Sequence, residues 1–212
     1  AHNLVVYGKE KDKYLISDPV MEETTTLNRE ELEKVRFAQG MLAPKGHLYY
    51  PKATVTVSDE LIRKVIIKGI KRNSRNMLYV PARFAGVRGI NYTASKIRKW
   101  RKKHGERKAG LYLGQIVRMQ EEIGTGGGGF RYIYSAFLEQ ASEHLGNDKL
   151  IKISEQLTKA GDLWRDSALQ MAGIYKGRIT AQKDFEDCAD IMNEIAQVET
   201  TVFKELNKMN LK

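Results

Sequence analysis

An α+β fold that is mainly helical is predicted by three observations. Two β-prone runs, LVVY and YLIS, lie in the first 19 residues; Pro and Gly punctuate the stretch before Ser58; and helical periodicity governs nearly everything after it. In order, Gly8 to Asp12 supply turn chemistry between the two runs, which predicts a β-hairpin. LNREELEKVRFA, residues 27 to 38, then predicts a helix with Asn28 as N-cap and Glu31 in the capping-box position. APKGHLYYP and the alternating ATVTV read as extended, punctuated by Pro44, Gly46 and Pro51. A boundary near residue 55 separates two expected domains, 1–55 and 56–212.

SDELIRKVIIKGIKRNS opens on Ser58 as a helix cap, places acids in its first turn and bases towards its end, and puts Leu61, Val65 and Ile66 on one apolar stripe. A loop around Pro81 and Gly86 leads to INYTASKIRKWRKKH, where Ile97 and Trp100 face inward, and then to AGLYLGQIVRMQEEI. After the glycine run GTGGGG come FRYIYSAFLEQASEHL and two long helical segments, about 148–176 and 181–208. With no internal repeat and no sustained heptad, these segments predict a helical bundle.

Composition bounds the function. The 212 residues are 42% hydrophobic and 29% charged, enough to bury a core without staples. The single cysteine, Cys188, cannot form an internal disulfide and fits a reducing, cytoplasmic compartment. No apolar run approaches the roughly 18–20 residues that span a bilayer, and the N-terminus lacks signal-peptide character. The chain starts at Ala1 inside a β-prone run, which reads as a processed or partial chain. The net charge is +10, with 17 Lys or Arg against one acid between residues 61 and 118. That basic middle implies an anionic partner, or else a solvated helix face.

Three patterns could carry chemistry. If the hairpin turn is centred on Glu10, His2 lies opposite Asp18, and cross-strand Cβ atoms are about 4.5–5.5 Å apart. A carboxylate that orients an imidazole makes the base half of a nucleophilic site, although a satisfied histidine at a sheet edge would look the same. Gly126, Gly127, Gly128 and Gly129 before a helix could cradle an anion with Arg131 beside them, or could form a tight turn for helix packing; neither the P-loop nor the dinucleotide fingerprint fits. KIRKWRKKHGERK and RKVIIKGIKRNSR could bind nucleic-acid phosphates, but Trp100 sits at core spacing, so another anionic docking partner ranks ahead. His47, His104 and His144 have no ligands at metal spacing, so no metal site is expected. Acids beside Cys188 would raise its pKa, which fits a packing thiol better than a nucleophile.

HNLVVYGKEKDKYLISDP resembles the His-to-Asp segment of papain-like cysteine enzymes, including the leader peptidases of bacteriocin export. RFAQGMLAPKGHLYYP, RFAGVRGI and GTGGGGFRYIYSAFLEQAS are similar to the family of butirosin biosynthesis protein H, in which a papain-like domain precedes a helical domain. The resemblance spans nearly the whole chain. It implies an acyltransferase that moves an acyl group from the phosphopantetheine thioester of an acyl carrier protein to the amine of an aminoglycoside-like acceptor, with no other cofactor. His2 would be the general base and Asp18 its orienting partner. The nucleophilic cysteine of that family lies upstream of this His and is not in this sequence. An acidic carrier protein would also suit the basic segment. A cysteine peptidase or amidase, and a noncatalytic binding module, remain as alternatives; the oligomeric state is left open.

Overall fold

The structure is a computed structural model that describes residues 3–40, 43–54, 56–123 and 127–211. The chain divides into two compact units, Ala1–Thr56 and Val57–Lys212. As expected, it is α+β and mainly α.

In the smaller unit, β1 (Val5–Glu10), β2 (Lys13–Ser17) and β3 (Thr25–Asn28) form an antiparallel sheet in the order β1-β2-β3. The hairpin differs from its expected register. Glu10 pairs with Lys13 and Lys9 with Tyr14; beyond a bulge between Val6 and Gly8, Val6 pairs with Ile16 and Val5 with Ser17. Gly8 is therefore a strand residue rather than part of the turn. A Cβ on it would lie 3.2 Å from the Leu15 side chain, so the bare backbone accommodates a close cross-strand neighbour beside the bulge.

Asn28 ends β3 and caps α1 (Arg29–Arg36). Its Oδ1 accepts the Glu31 N–H at 2.9 Å, while its own N–H donates to Glu31 Oε2 at 2.8 Å, so the predicted capping box is present. Strand β3, TTLN, adds to the expected elements; it runs straight into the helix start with no turn residue to separate them. The expected extended stretch 43–57 contains no strand among the described residues. Its first part folds back on α1: Gly46 N–H donates to Arg36 O at 2.8 Å and Arg36 Nη2 to Gly46 O at 2.7 Å. Of the smaller unit's described residues only Ile16 is buried, while Val5, Val6, Tyr7, Phe37 and Tyr49 are exposed.

The larger unit is a bundle of α2 (Asp59–Tyr79), α3 (Gly86–His104), α4 (Glu106–Val117), α5 (Arg131–Leu145), α6 (Lys149–Tyr175) and α7 (Gln182–Lys208). Helix α7 packs against α2, α3 and α6, and α6 also packs against α4 and α5. One core cluster joins Ile70, Leu138, Leu157 and Phe203; a second joins Ile97, Leu113, Met171 and Phe185. Ser58 caps α2 through its hydroxyl, which accepts the Leu61 N–H at 3.2 Å.

The apolar stripe of α2 is not the expected one. Ile66, Ile70, Ser74 and Leu78 are buried, whereas Leu61 and Val65 are 37% and 60% exposed. An i, i+4 row continued from Ile66 faces α7, and Leu61 and Val65 fall on the other side of it.

Several bases of the segment 61–118 satisfy backbone carbonyls at or beyond helix C-termini, which have no partner inside the helix. Lys71 Nζ donates to Asn207 O at 2.8 Å and Leu206 O at 3.2 Å at the end of α7, and burial, then Arg75, hold its pKa below the usual lysine value. Arg63 donates to His144 O, Arg88 to Val80 O, and Arg101 Nε to Thr180 O at 2.7 Å.

Candidate functional site

Asp18 lies at the end of β2. Its carboxylate Oδ1 accepts the Val20 N–H at 2.9 Å and its carbonyl accepts the Met21 N–H at 3.1 Å. The Asp18-Pro19-Val20-Met21 turn thus orients the carboxylate through the backbone, with Pro19 fixing the first turn residue. Extending the Val5–Ser17 pairing by one position puts Leu4, not His2, opposite Asp18. On that side of the bulge the slip is two residues, so Val6 still shares a face with Ile16, whereas on the turn side Lys9, not an even-numbered residue, pairs with Tyr14. His2 itself lies outside the described residues, as does Gly126.

The glycine-rich stretch is a left-handed turn. Gly127, Gly128 and Gly129 have φ of 84°, 56° and 54°, and Phe130 follows at 71°. The left-handed backbone favours glycine at both Gly127 and Gly128, and at Gly128 a Cβ would also lie 2.9 Å from the Tyr132 ring and 3.3 Å from the Gly161 backbone.

One internal carboxylate, Glu121, caps this turn, and a second, Glu199, holds Arg131 beside it. After α4 the chain winds into one π-helical segment, Arg118–Glu122, which re-aims Gln120 and Glu121. Glu121 accepts the Gly128 N–H at 3.1 and 3.3 Å and lies 3.8 Å from Arg165 Nε, while Gln120 Nε2 donates to Trp164 O at 2.8 Å. Glu199 of α7, fully buried, accepts Arg131 Nε and Nη2, each at 2.7 Å, and Trp164 Nε1–H at 2.7 Å. Arg131 also donates to Gly129 O, and its guanidinium lies 5.2 Å from the Trp164 ring centroid. Tyr132 donates to Asp162 Oδ1 at 2.8 Å; burial first, then the bond to Asp162, pushes its phenol up to about 12. The guanidinium expected to hold a ligand is therefore occupied by Glu199, and the chemistry of this knot is the positioning of α5, α6 and α7.

Glu121, Trp164 and Glu199 escaped the sequence reading. Glu199 was detectable: it occupies a core position of α7, four residues after Ile195 and three before Val202, both buried. An acid on an apolar stripe implies a buried partner.

Cys188 is buried, and its thiol is pushed up to about 12 by burial first and then by Asp184 and Asp187. In the native protein it should resist iodoacetamide and become alkylated only after denaturation, as read by mass spectrometry; native labelling on the timescale of a free thiol would contradict this burial. Among the described residues no group of His, Cys, Asp or Glu could hold a metal ion, and no helix is long and apolar enough to cross a membrane.

Residues 30–206 match the family described as Domain of unknown function (DUF4872), and with most of its length matched the chain belongs to that family. No curated protein and no solved structure matches it.

Proposed function

We propose that this member of the DUF4872 family carries the base half of a papain-like acyltransferase, with the cysteine supplied by a segment outside this sequence. The observation that supports it best is the Asp18 carboxylate, fixed at the end of β2 by its own turn in a segment that resembles the His-to-Asp stretch of papain-like enzymes. A second support is the uncovered apolar surface of the smaller unit, where Ile16 is buried and the Val5–Tyr7 run is exposed, as in a sheet that another layer covers.

In this reading His2 takes the cysteine proton as the thiolate attacks the acyl thioester. The carbon–sulfur bond to the carrier breaks, and the pantetheine thiol leaves with the proton from His2. An acceptor amine then attacks the acyl-cysteine, His2 removes the amine proton, and the amide departs as the cysteine thiol re-forms. Asp18 orients the imidazole and stabilises its charged form. The donor is an acyl carrier protein in a cytoplasmic setting and the acceptor a small-molecule amine.

The test uses the complete protein with its cysteine-bearing segment, a carrier-bound acyl thioester and an aminoglycoside amine. His2→Ala should lower amide formation about 10²–10⁴-fold with thermal stability unchanged. Undiminished transfer would rule out the catalytic role of His2. Hydrolysis of acyl-peptides or amides with no amine transfer would favour the peptidase or amidase reading, which uses the same residues.

A further inference from the structure

Folding accounts for many bases of the segment 61–118, but not for those where α3 meets α4. Arg101, Lys102, Lys103 and His104 end α3, where the helix dipole favours cations. The chain turns at Gly105 and begins α4 with Glu106, Arg107 and Lys108. Arg107 and Lys108 thus sit at the end of a helix that repels cations, and no side chain caps that end. Arg101 is engaged by Thr180 O and by Glu106 at 3.2 Å.

Lys99, Lys102, Lys103 and Arg107 are exposed and make no ion pair among the described residues. Lys99 faces Lys102 and Lys103 at i+3 and i+4, a spacing at which like charges repel. Beneath them the aromatic rings are committed: Trp100 and His104 meet Tyr112 edge-on at 5.3 and 5.4 Å, and Lys108 lies 6.0 Å from the Tyr112 centroid. These rings engage one another and Lys108 and are half-buried, so the exposed groups of the corner are its cations and not an aromatic platform of the kind single-stranded nucleic acid stacks on.

We infer that the α3–α4 corner, built on Lys99, Lys102, Lys103 and Arg107, is a docking surface for an acidic protein segment, a helix or loop rich in carboxylates. Like-charge repulsion among these exposed cations, which the α3 dipole offsets only at its own end, is relieved when carboxylates approach, and their field speeds the encounter. The inference goes beyond the acyl-transfer reading and stands without it.

The test measures binding of the full chain to a fluorescent Glu-rich helical peptide at about 0.15 M salt. A single-stranded oligothymidylate of equal net charge is measured alongside. The triple variant Lys102→Glu, Lys103→Glu, Arg107→Glu should weaken peptide binding about tenfold or more. The equally charged variant Lys68→Glu, Arg72→Glu, Arg75→Glu on α2 should change it less than about twofold, since its site lies outside the corner. Equal losses would reduce the effect to net charge and overturn the corner. Tighter, corner-dependent binding of the oligonucleotide would replace the acidic protein with nucleic acid, and absence of peptide binding would also overturn the proposal. Replacing Lys102, Lys103 and Arg107 by Gln should hold Tm or raise it by about 1–2 °C while weakening the peptide; a clear fall in Tm would show that these cations serve the fold.

Discussion

Replacing Glu199 by Ala should destabilise the protein by about 3–5 kcal/mol, seen as a Tm lower by roughly 6–20 °C. The size follows from what the carboxylate leaves behind. Arg131, whose side chain is only 18% exposed, loses both of its 2.7 Å bonds to Glu199, and Trp164 Nε1–H loses its acceptor. A buried cation and a buried donor are then desolvated with no compensation. The pair need not itself be strongly stabilising, since its attraction is set against the desolvation of two charges. The double variant Glu199→Leu with Arg131→Met should therefore recover most of the loss, with Trp164 still lacking an acceptor. A loss below about 1 kcal/mol for Glu199→Ala would mean that water replaces the carboxylate and that this pair does not anchor the glycine turn.

Asp18→Asn should lower acyl transfer by the complete protein about 10³–10⁴-fold while leaving the fold intact. The amide oxygen can still accept the Val20 N–H that Asp18 Oδ1 accepts now, so the turn after β2 persists. The negative charge is lost, and with it the preference for the imidazole tautomer and charge state that the acyl-transfer reading requires of His2. Transfer rates at saturating thioester, beside a circular dichroism melt, separate the two effects. A drop of less than about tenfold with an unchanged melt would remove Asp18 from catalysis and leave it as a turn residue. The exposed apolar residues of β1 would then be the remaining structural support for a covering layer.

Particular elements show how far the sequence could be read. The cap at Ser58, the capping box of Asn28 and Glu31, and the long helices at Lys149–Tyr175 and Gln182–Lys208 were all legible, the last two within a residue or two of expectation. Each rests on residues within about four positions of one another, where the chain itself dictates geometry. The hairpin register was missed because Gly8 reads equally well as a turn residue and as the strand residue beside a bulge. Leu61 and Val65 were misassigned because α2 carries apolar residues on both sides of its Ile66–Ile70 row, and only the packing of α7 selects one side.

The candidate glycine site divides in the same way. The tight turn was legible in GTGGGG, but what occupies it was not. Arg131 meets Glu199 from 68 residues away, and Lys71 reaches the end of α7 across 136. Propensity and periodicity act over one or two helical turns and say nothing about such partners. By itself, then, the sequence determined the limits of the last two helices, the mainly helical α+β class and the uneven charge, while α2 runs on to Tyr79 and α3 already begins at Gly86. Only tertiary packing decided which cations fold the protein and which remain outside, because burial makes an unpaired charge costly and so selects its partner without regard to distance along the chain.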